Sequence, residues 1–196
     1  MSTERLDAQM AFLMEADKLK QILRATKIAD GARYENSGEH SWHIALFALV
    51  LGADAPAEVH IDRVIRMLLL HDLVEIDAGD APIFGDHDAA EMAAKEDAAA
   101  TRIFGLLPPD QAQEFRALWD EFEAAETADA RFAKSLDRFQ PPNQNLASDG
   151  GSWAEYDTRY DQFEARVGAK IKRGAPWLWD WLQPRAAAWF EARGKR

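Results

Sequence analysis

Apolar residues recur along this chain at the spacing of helices, and no stretch alternates apolar and polar residues as a half-buried strand does. An all-α fold is therefore expected. A first helix is expected over residues 4–27, ended by Asp30-Gly31, and a second from Gly38 to Gly52, capped by Ser37, with Trp42, Ala45, Leu46 and Leu49 on one stripe. A third covers 57–76 and stops at Gly79. After a loop with Pro82 and Gly85, residues 88–104 form an Ala-rich helix, Pro108-Pro109 opens another, and Thr127 caps one that reaches Phe139. Pro141-Pro142 should end or kink that helix beside Asp137, because proline clashes with the carbonyl four residues back. NQNLASDGGSW reads as a flexible connection, and Ser152 with Glu155 has capping-box spacing. Helices follow over 156–172 and 175–196, the last broken by Pro184.

The composition, 47% hydrophobic and 29% charged, is that of a globular chain, and 196 residues without an internal repeat make one domain the economical reading. Cysteine is absent, which removes disulfides, thiolate nucleophiles and iron–sulfur ligation and suits a cytoplasmic protein. The start, MSTERLDAQMAF, is charged, so no signal peptide is expected, and no apolar run approaches the ~18 residues of a membrane span. A net charge of -11 disfavours a nucleic-acid polymer as partner. It also repels anions, so a phosphate-bearing ligand needs local positive charge from a metal, Arg or Lys.

One segment breaks the polarity rules. In LLLHDLVEIDAGD, residues 68–80, a histidine and four carboxylates follow directly on leucines, although Asp and Glu are seldom buried without a partner. Negative charge also opposes the dipole at a helix C-terminus, a clash that a cation relieves. An HD dipeptide alone is a weak signal. GEHSWH at 38–43 and KSLDRF at 134–139, on helices able to pack against the third, strengthen it by offering a second imidazole and a second carboxylate.

With ENSGEHSWH and FAKSLDRFQP on either side, LLLHDLVEIDAGD resembles the signature segments of the HD-domain metal-dependent phosphohydrolases, in the branch of the bacterial 5'-deoxynucleotidase. The resemblance covers about residues 20–150 and implies an HD-domain helical bundle; the C-terminal helices at about 153–196 are expected to pack on it or to form a dimer interface. It implies His40, His71, Asp72 and Asp137 as ligands of one divalent ion. Two imidazoles and two carboxylates suit Mn, Fe, Co, Ni or Zn, and Mg is a further candidate. Binuclear relatives have two more histidines between the HD pair and the last Asp, whereas here only His87 lies there.

The resemblance further implies Glu75 as the proton-transfer group and Asp80 as a water- or substrate-orienting group. Glu75 lies one turn from His71 and Asp72 on nearly the same face. Arg33, Lys134 and Gln140, with Asp72, Asp80 and Asp137, are the expected substrate contacts. Arg33 either faces substrate or pairs with Glu35 or Glu39. His43 is expected as a supporting or packing residue rather than a ligand, Asn145 as another residue that can line the pocket, and Asp77 has no assigned role. The family's nucleotidases place an arginine followed by an aromatic after the first helix, and LRATKIADG has no such pair, which leaves sugar selectivity open.

The implied activity is hydrolysis of a small phosphate ester, a nucleoside 5'-monophosphate. Alternatives are a nucleoside triphosphate or a phosphodiester as substrate, or a non-catalytic metal-containing regulatory protein. Trp177, Trp179, Trp181 and Trp189 crowd the C-terminal segment and suggest core or a homodimer interface.

Overall fold

In the computed structural model, which describes residues 2–196, α1 (Thr3–Ala16) is capped by Ser2 and yields to a 3-10 turn over Asp17–Gln21. The expected helix over 4–27 therefore stops early. Its last part is a strand, β1 (Leu23–Lys27), paired antiparallel with β2 (Tyr34–Asn36). The link turns at Gly31, whose φ of 73° suits glycine, and Ser37 N–H donates to Ile22 O at 2.9 Å to close the hairpin. Leu, Arg, Ala and Lys favour helix, and five residues are too few to show alternation, so this strand exists through its pairing rather than its own propensity.

Helix α2 (Ser37–Leu51) starts one residue earlier than expected. Its cap is Asn36, which accepts from Glu39 N–H at 2.9 Å while Glu39 accepts from Asn36 N–H at 3.1 Å, a reciprocal box. Ser37 is thereby free for the site. Of the apolar stripe only Ala45 turns inward: Trp42 and Leu49 are 63% and 64% exposed, and the buried face carries His40, Ile44, Ala45 and Ala48. Apolar residues lie all around α2, so periodicity did not define its inner face.

Helix α3 (Ile61–Leu70) passes into a 3-10 turn over His71–Val74 and then α4 (Glu75–Ala78). Residues three apart eclipse in such a turn, which aligns Asp72 with Glu75. Gly79, at φ 78° and ψ 159°, turns the chain back where other residues are strained.

Helices α5 (Ala89–Phe104), capped by Asp88, and α6 (Pro109–Ala124) match the expected spans. Capped by Thr127, α7 (Ala128–Ala147) does not end near Phe139 but runs through Pro141 and Pro142. It packs against α2, α3, α6 and β1 as well as the C-terminal helices, and this burial outweighs the lost backbone bonds. The expected flexible connection shrinks to a short turn before α8 (Gly151–Glu155). Gly150 rather than Ser152 occupies the cap position there, with φ 111° and no room for a side chain against Trp189. Ser152 instead bonds Asn145, whose Oδ1 accepts from its N–H at 3.1 Å.

Helix α9 (Tyr160–Phe163), starting after the expected Tyr156, continues through a wide turn over Glu164–Gly168 into α10 (Ala169–Gly174). Helix α11 (Pro176–Glu191) is unbroken at Pro184. Trp179 and Trp189 are core residues, and Trp153 packs with Trp189 and Phe190 at ring separations of 5.4 and 4.9 Å. Trp181, 46% exposed, emerges next to the apolar outer face of α2. The fold is the expected helical bundle with one small hairpin added. No helix among the described residues is long and apolar enough to cross a membrane.

Candidate metal centre

Four side chains from three packed segments converge in the core: His40 from α2, His71 and Asp72 from the 3-10 turn, and Asp137 from α7. None exceeds 7% exposure. His40 Nε2 lies 3.1 Å from Asp137 Oδ1, and His71 Nε2 lies 2.9 Å from Asp72 Oδ1 and 3.9 Å from Asp137 Oδ1. Donor atoms of His40, His71 and Asp72 all fall within 4.8 Å of one another.

The second nitrogen of each ring fixes its proton. His71 Nδ1–H donates to Leu68 O at 2.8 Å, an oxygen that only accepts. His40 Nδ1–H donates to Gln140 Oε1 at 3.1 Å. With both rings neutral, each Nε2 presents a lone pair toward a carboxylate oxygen, and His71 Nε2 is buried without a hydrogen-bond partner. Lone pair facing lone pair is repulsive unless a cation stands between, or, at His40, a proton that Asp137 can accept. Bonds of about 2.1 Å from a divalent ion to nitrogen and oxygen place neighbouring ligand atoms roughly 3 Å apart, close to the spacing here. The residues fit such an ion, and their imidazole–carboxylate mixture is that of a divalent metal.

Hydrogen bonds extend outward from His40. Gln140 Nε2 donates to Glu35 Oε1 at 2.9 Å and approaches His43 Nδ1 at 3.0 Å, and Gln144 Nε2 donates to the same Glu35 oxygen at 2.7 Å. Gln140 thus stands behind His40 rather than in the adjoining cavity, and His43, held neutral by burial, supports Gln140.

Two charged residues escaped the sequence reading. Glu35, on β2, is 2% exposed, with Oε2 3.5 Å from His40 Nδ1 and 4.0 Å from Arg24 Nε. Arg24, on β1, donates from Nη1 to Asp72 Oδ2 at 2.8 Å and lies 3.7 Å from Glu75 Oε1 and 3.6 Å from Asp80 Oδ1. The segment LRATKIADG lacks an arginine–aromatic pair but holds this arginine. The only signal was its residue type, and a helix over 4–27 gave no reason to turn it inward.

The four carboxyls divide into two kinds. Burial opposes charge on Asp72, but His71 and Arg24 outweigh it and lower the group; burial likewise opposes Asp137, which Arg138 and His40 hold well below the usual range. Burial and the neighbouring charge of Asp72 push Glu75 well above its ordinary value, and Asp80 is raised by burial and Asp72 against the pull of Arg24. Burial and Arg24 lower His40, yet Asp137, Glu35 and Asp72 carry it up to about 9 in the metal-free protein. Environments that push neighbouring carboxyls apart in this way separate ligands from proton carriers.

Arg24, Glu75, Asp80, Lys134 and Arg138 line a cavity of about 330 Å³ over the quartet. Lys134 is steered by Glu123 at 2.9 Å and lies over the Phe122 ring at 4.0 Å. Arg33 is elsewhere: its guanidinium forks onto Glu39 at 2.8 and 2.7 Å on the surface. Asp77 pairs with Arg102 at 2.7 Å, away from the cavity, and Asn145 is bound to Ser152.

A family model described as HD domain matches residues 16–179. A human protein named 5'-deoxynucleotidase HDDC2 is 31% identical over 66% of this chain and 62% of its own length. The Xenopus laevis protein of that name is 30% identical over 81% of this chain and 72% of its own. The chain thus spans under two thirds of the human relative. A solved structure described as a predicted metal-dependent phosphohydrolase from Magnetospirillum magnetotacticum MS-1 is 46% identical, covers 98% of both chains and superposes with a TM-score of 0.91. A Pyrococcus furiosus protein, 19% identical with a TM-score of 0.54 over 84% of this chain, shares the fold.

Proposed function

This chain belongs to the HD-domain family, and from that membership we propose that it is a metal-dependent phosphohydrolase cleaving a nucleoside 5'-monophosphate or closely similar phosphate ester. The observation that carries the reading is one cavity in which the quartet His40, His71, Asp72 and Asp137 adjoins a buried cation, Arg24, and two carboxyls, Glu75 and Asp80, that burial and Asp72 raise above their ordinary values. The relatives' name, 5'-deoxynucleotidase, agrees with it. We assign a single ion to the quartet, drawn from Mn, Fe, Co, Ni, Zn or Mg.

When bound, such an ion polarises phosphoryl oxygens and lowers the pKa of water from 15.7 to about 7. The chain supplies the rest. Arg24 exchanges part of its contact with Asp72 for phosphate oxygens, and Lys134 and Arg138 add the positive charge that a surface of net charge -11 lacks. Ser37 Oγ donates to Glu75 Oε2 at 2.5 Å, which reserves Oε1 for the carboxyl proton. Glu75 then gives that proton to the departing ribose oxygen, while Asp80 orients the attacking water.

Phosphate release from ribo- and deoxynucleoside monophosphates, triphosphates and a phosphodiester, with each metal added and Asp137→Ala as control, tests the reading. Release from monophosphates alone is expected. A cavity of about 330 Å³ is at the small end of ligand pockets of ~300–1,000 Å³, which disfavours the bulkier substrates. Release from none of them supports the regulatory alternative instead. Residues 1–196 are further assigned to one domain working in the cytoplasm as a homodimer. Trp42, Leu49 and Val50 of α2, with Trp181 of α11, form the apolar face that a second copy would cover.

A further inference from the structure

Glu35 has no place in the chemistry proposed above, yet it is the most completely enclosed carboxylate near the site, at 2% exposure. The groups within reach of it are donors. Gln140 and Gln144 donate to Oε1 at 2.9 and 2.7 Å, while His40 Nδ1 and Arg24 Nε face Oε2 at 3.5 and 4.0 Å. Glu35 Oε2 and Arg24 Nε are both buried without a hydrogen-bond partner. An ionised carboxylate accepts only, so it is the side chain suited to a place with donors on both sides.

The consequences run in two directions. Because Gln140 must turn its amide nitrogen toward Glu35, its oxygen faces His40, which keeps the proton on Nδ1 and leaves Nε2 free for a metal. On the other side, Oε2 sits beside the Nε edge of Arg24, whose Nη1 points into the cavity. We infer that Glu35 is a positioning residue that sets the tautomer of His40 for metal binding and the aim of Arg24 for anion binding, so that one buried carboxylate couples the two halves of the site. The inference rests on His40 being a metal ligand and needs nothing about the substrate.

Glu35→Gln is the direct probe, because whichever way the new amide turns, an N–H₂ meets donors. Co(II) alone is titrated into the metal-free full chain, with folding checked by circular dichroism and the visible Co(II) bands recorded. The Co(II) dissociation constant is expected to rise about 10- to 100-fold, the usual effect of losing an outer partner of a ligating histidine, with a shift of the bands. The affinity of the Co(II)-loaded protein for inorganic phosphate should fall as well. Should Glu35→Gln not fold, Gln144→Met decides, since it removes one donor from Glu35 and should weaken Co(II) about 5-fold, the net scale of one hydrogen bond. A folded variant that binds Co(II) within twofold of wild type overturns the inference. His40→Ala separates the two readings. If it loses Co(II) while Glu35→Gln keeps it, only the role of Glu35 fails; if it binds like wild type, the metal assignment fails too.

Discussion

The proposed ligand quartet and the charges that flank it stand on different kinds of backbone. His40, His71, Asp72 and Asp137 project from helices and a tight helical turn fixed by core packing, with neighbours such as Ile44, Leu68, Leu70 and Leu136 buried beside them. Arg24 and Glu35 come from strands of five and three residues that pair only with each other. In the proposed reading the helical part holds the ion. The hairpin delivers long, charged side chains to the same place from outside the bundle, and a mutation can separate the two contributions.

The largest separation is expected at the quartet. Asp137→Ala should lose the ion, read by metal analysis of purified protein, and lose turnover by more than about 10³-fold, since Lewis-acid stabilisation supplies several kcal/mol. Glu75→Gln should keep the ion and lower kcat about 10²- to 10⁴-fold, the span of general-acid effects. Glu75 is raised by burial and Asp72, so the wild-type rate should fall on the alkaline side as that proton is lost, and the limb should vanish in the variant. The same shift has a stability sign. A carboxyl whose folded value is raised costs stability as pH climbs from its ordinary value toward the folded one, so Glu75→Gln should raise the Tm of the metal-free protein at neutral pH. An increase of roughly 2–4 °C is what 1 kcal/mol makes in a chain of this size.

At the hairpin, Arg24→Ala should leave metal content unchanged and lower kcat/KM about 10²- to 10³-fold, as for loss of one preorganised charge donor. Arg24→Lys should not restore it, because an ammonium lacks the planar fork. Loss of the ion in Arg24→Ala would erase the distinction between the two regions. A smaller effect is expected at the hinge between Glu75 and Asp80, where Gly79→Ala forces a side chain into a conformation suited to glycine and should cost about 1–3 kcal/mol in denaturant unfolding.

The same contrast explains what the sequence disclosed. The proposed ligands stood out because polar residues follow leucines at a helix end, and it was the resemblance of three segments to the family's signatures that implied them as a set. Arg24 and Glu35 were hidden because their strand has helix-favouring residues and acquires its conformation only on pairing. Gln140 was legible as near the site but not as a support for His40, since that depends on an amide orientation set by Glu35. The outer face of α2 was misassigned because its apolar residues surround the helix, and α7 outran its prolines because burial on several sides holds it.

The central claim is that the quartet holds one ion beside Arg24. Crystals grown with Mn(II) and inorganic phosphate, measured at the manganese absorption edge, test it most directly. The account predicts one anomalous peak within bonding distance of His40 Nε2, His71 Nε2, Asp72 and Asp137, with a phosphate oxygen hydrogen-bonded to Arg24. A peak elsewhere, or a phosphate that leaves Arg24 bound only to its carboxylates, would contradict it.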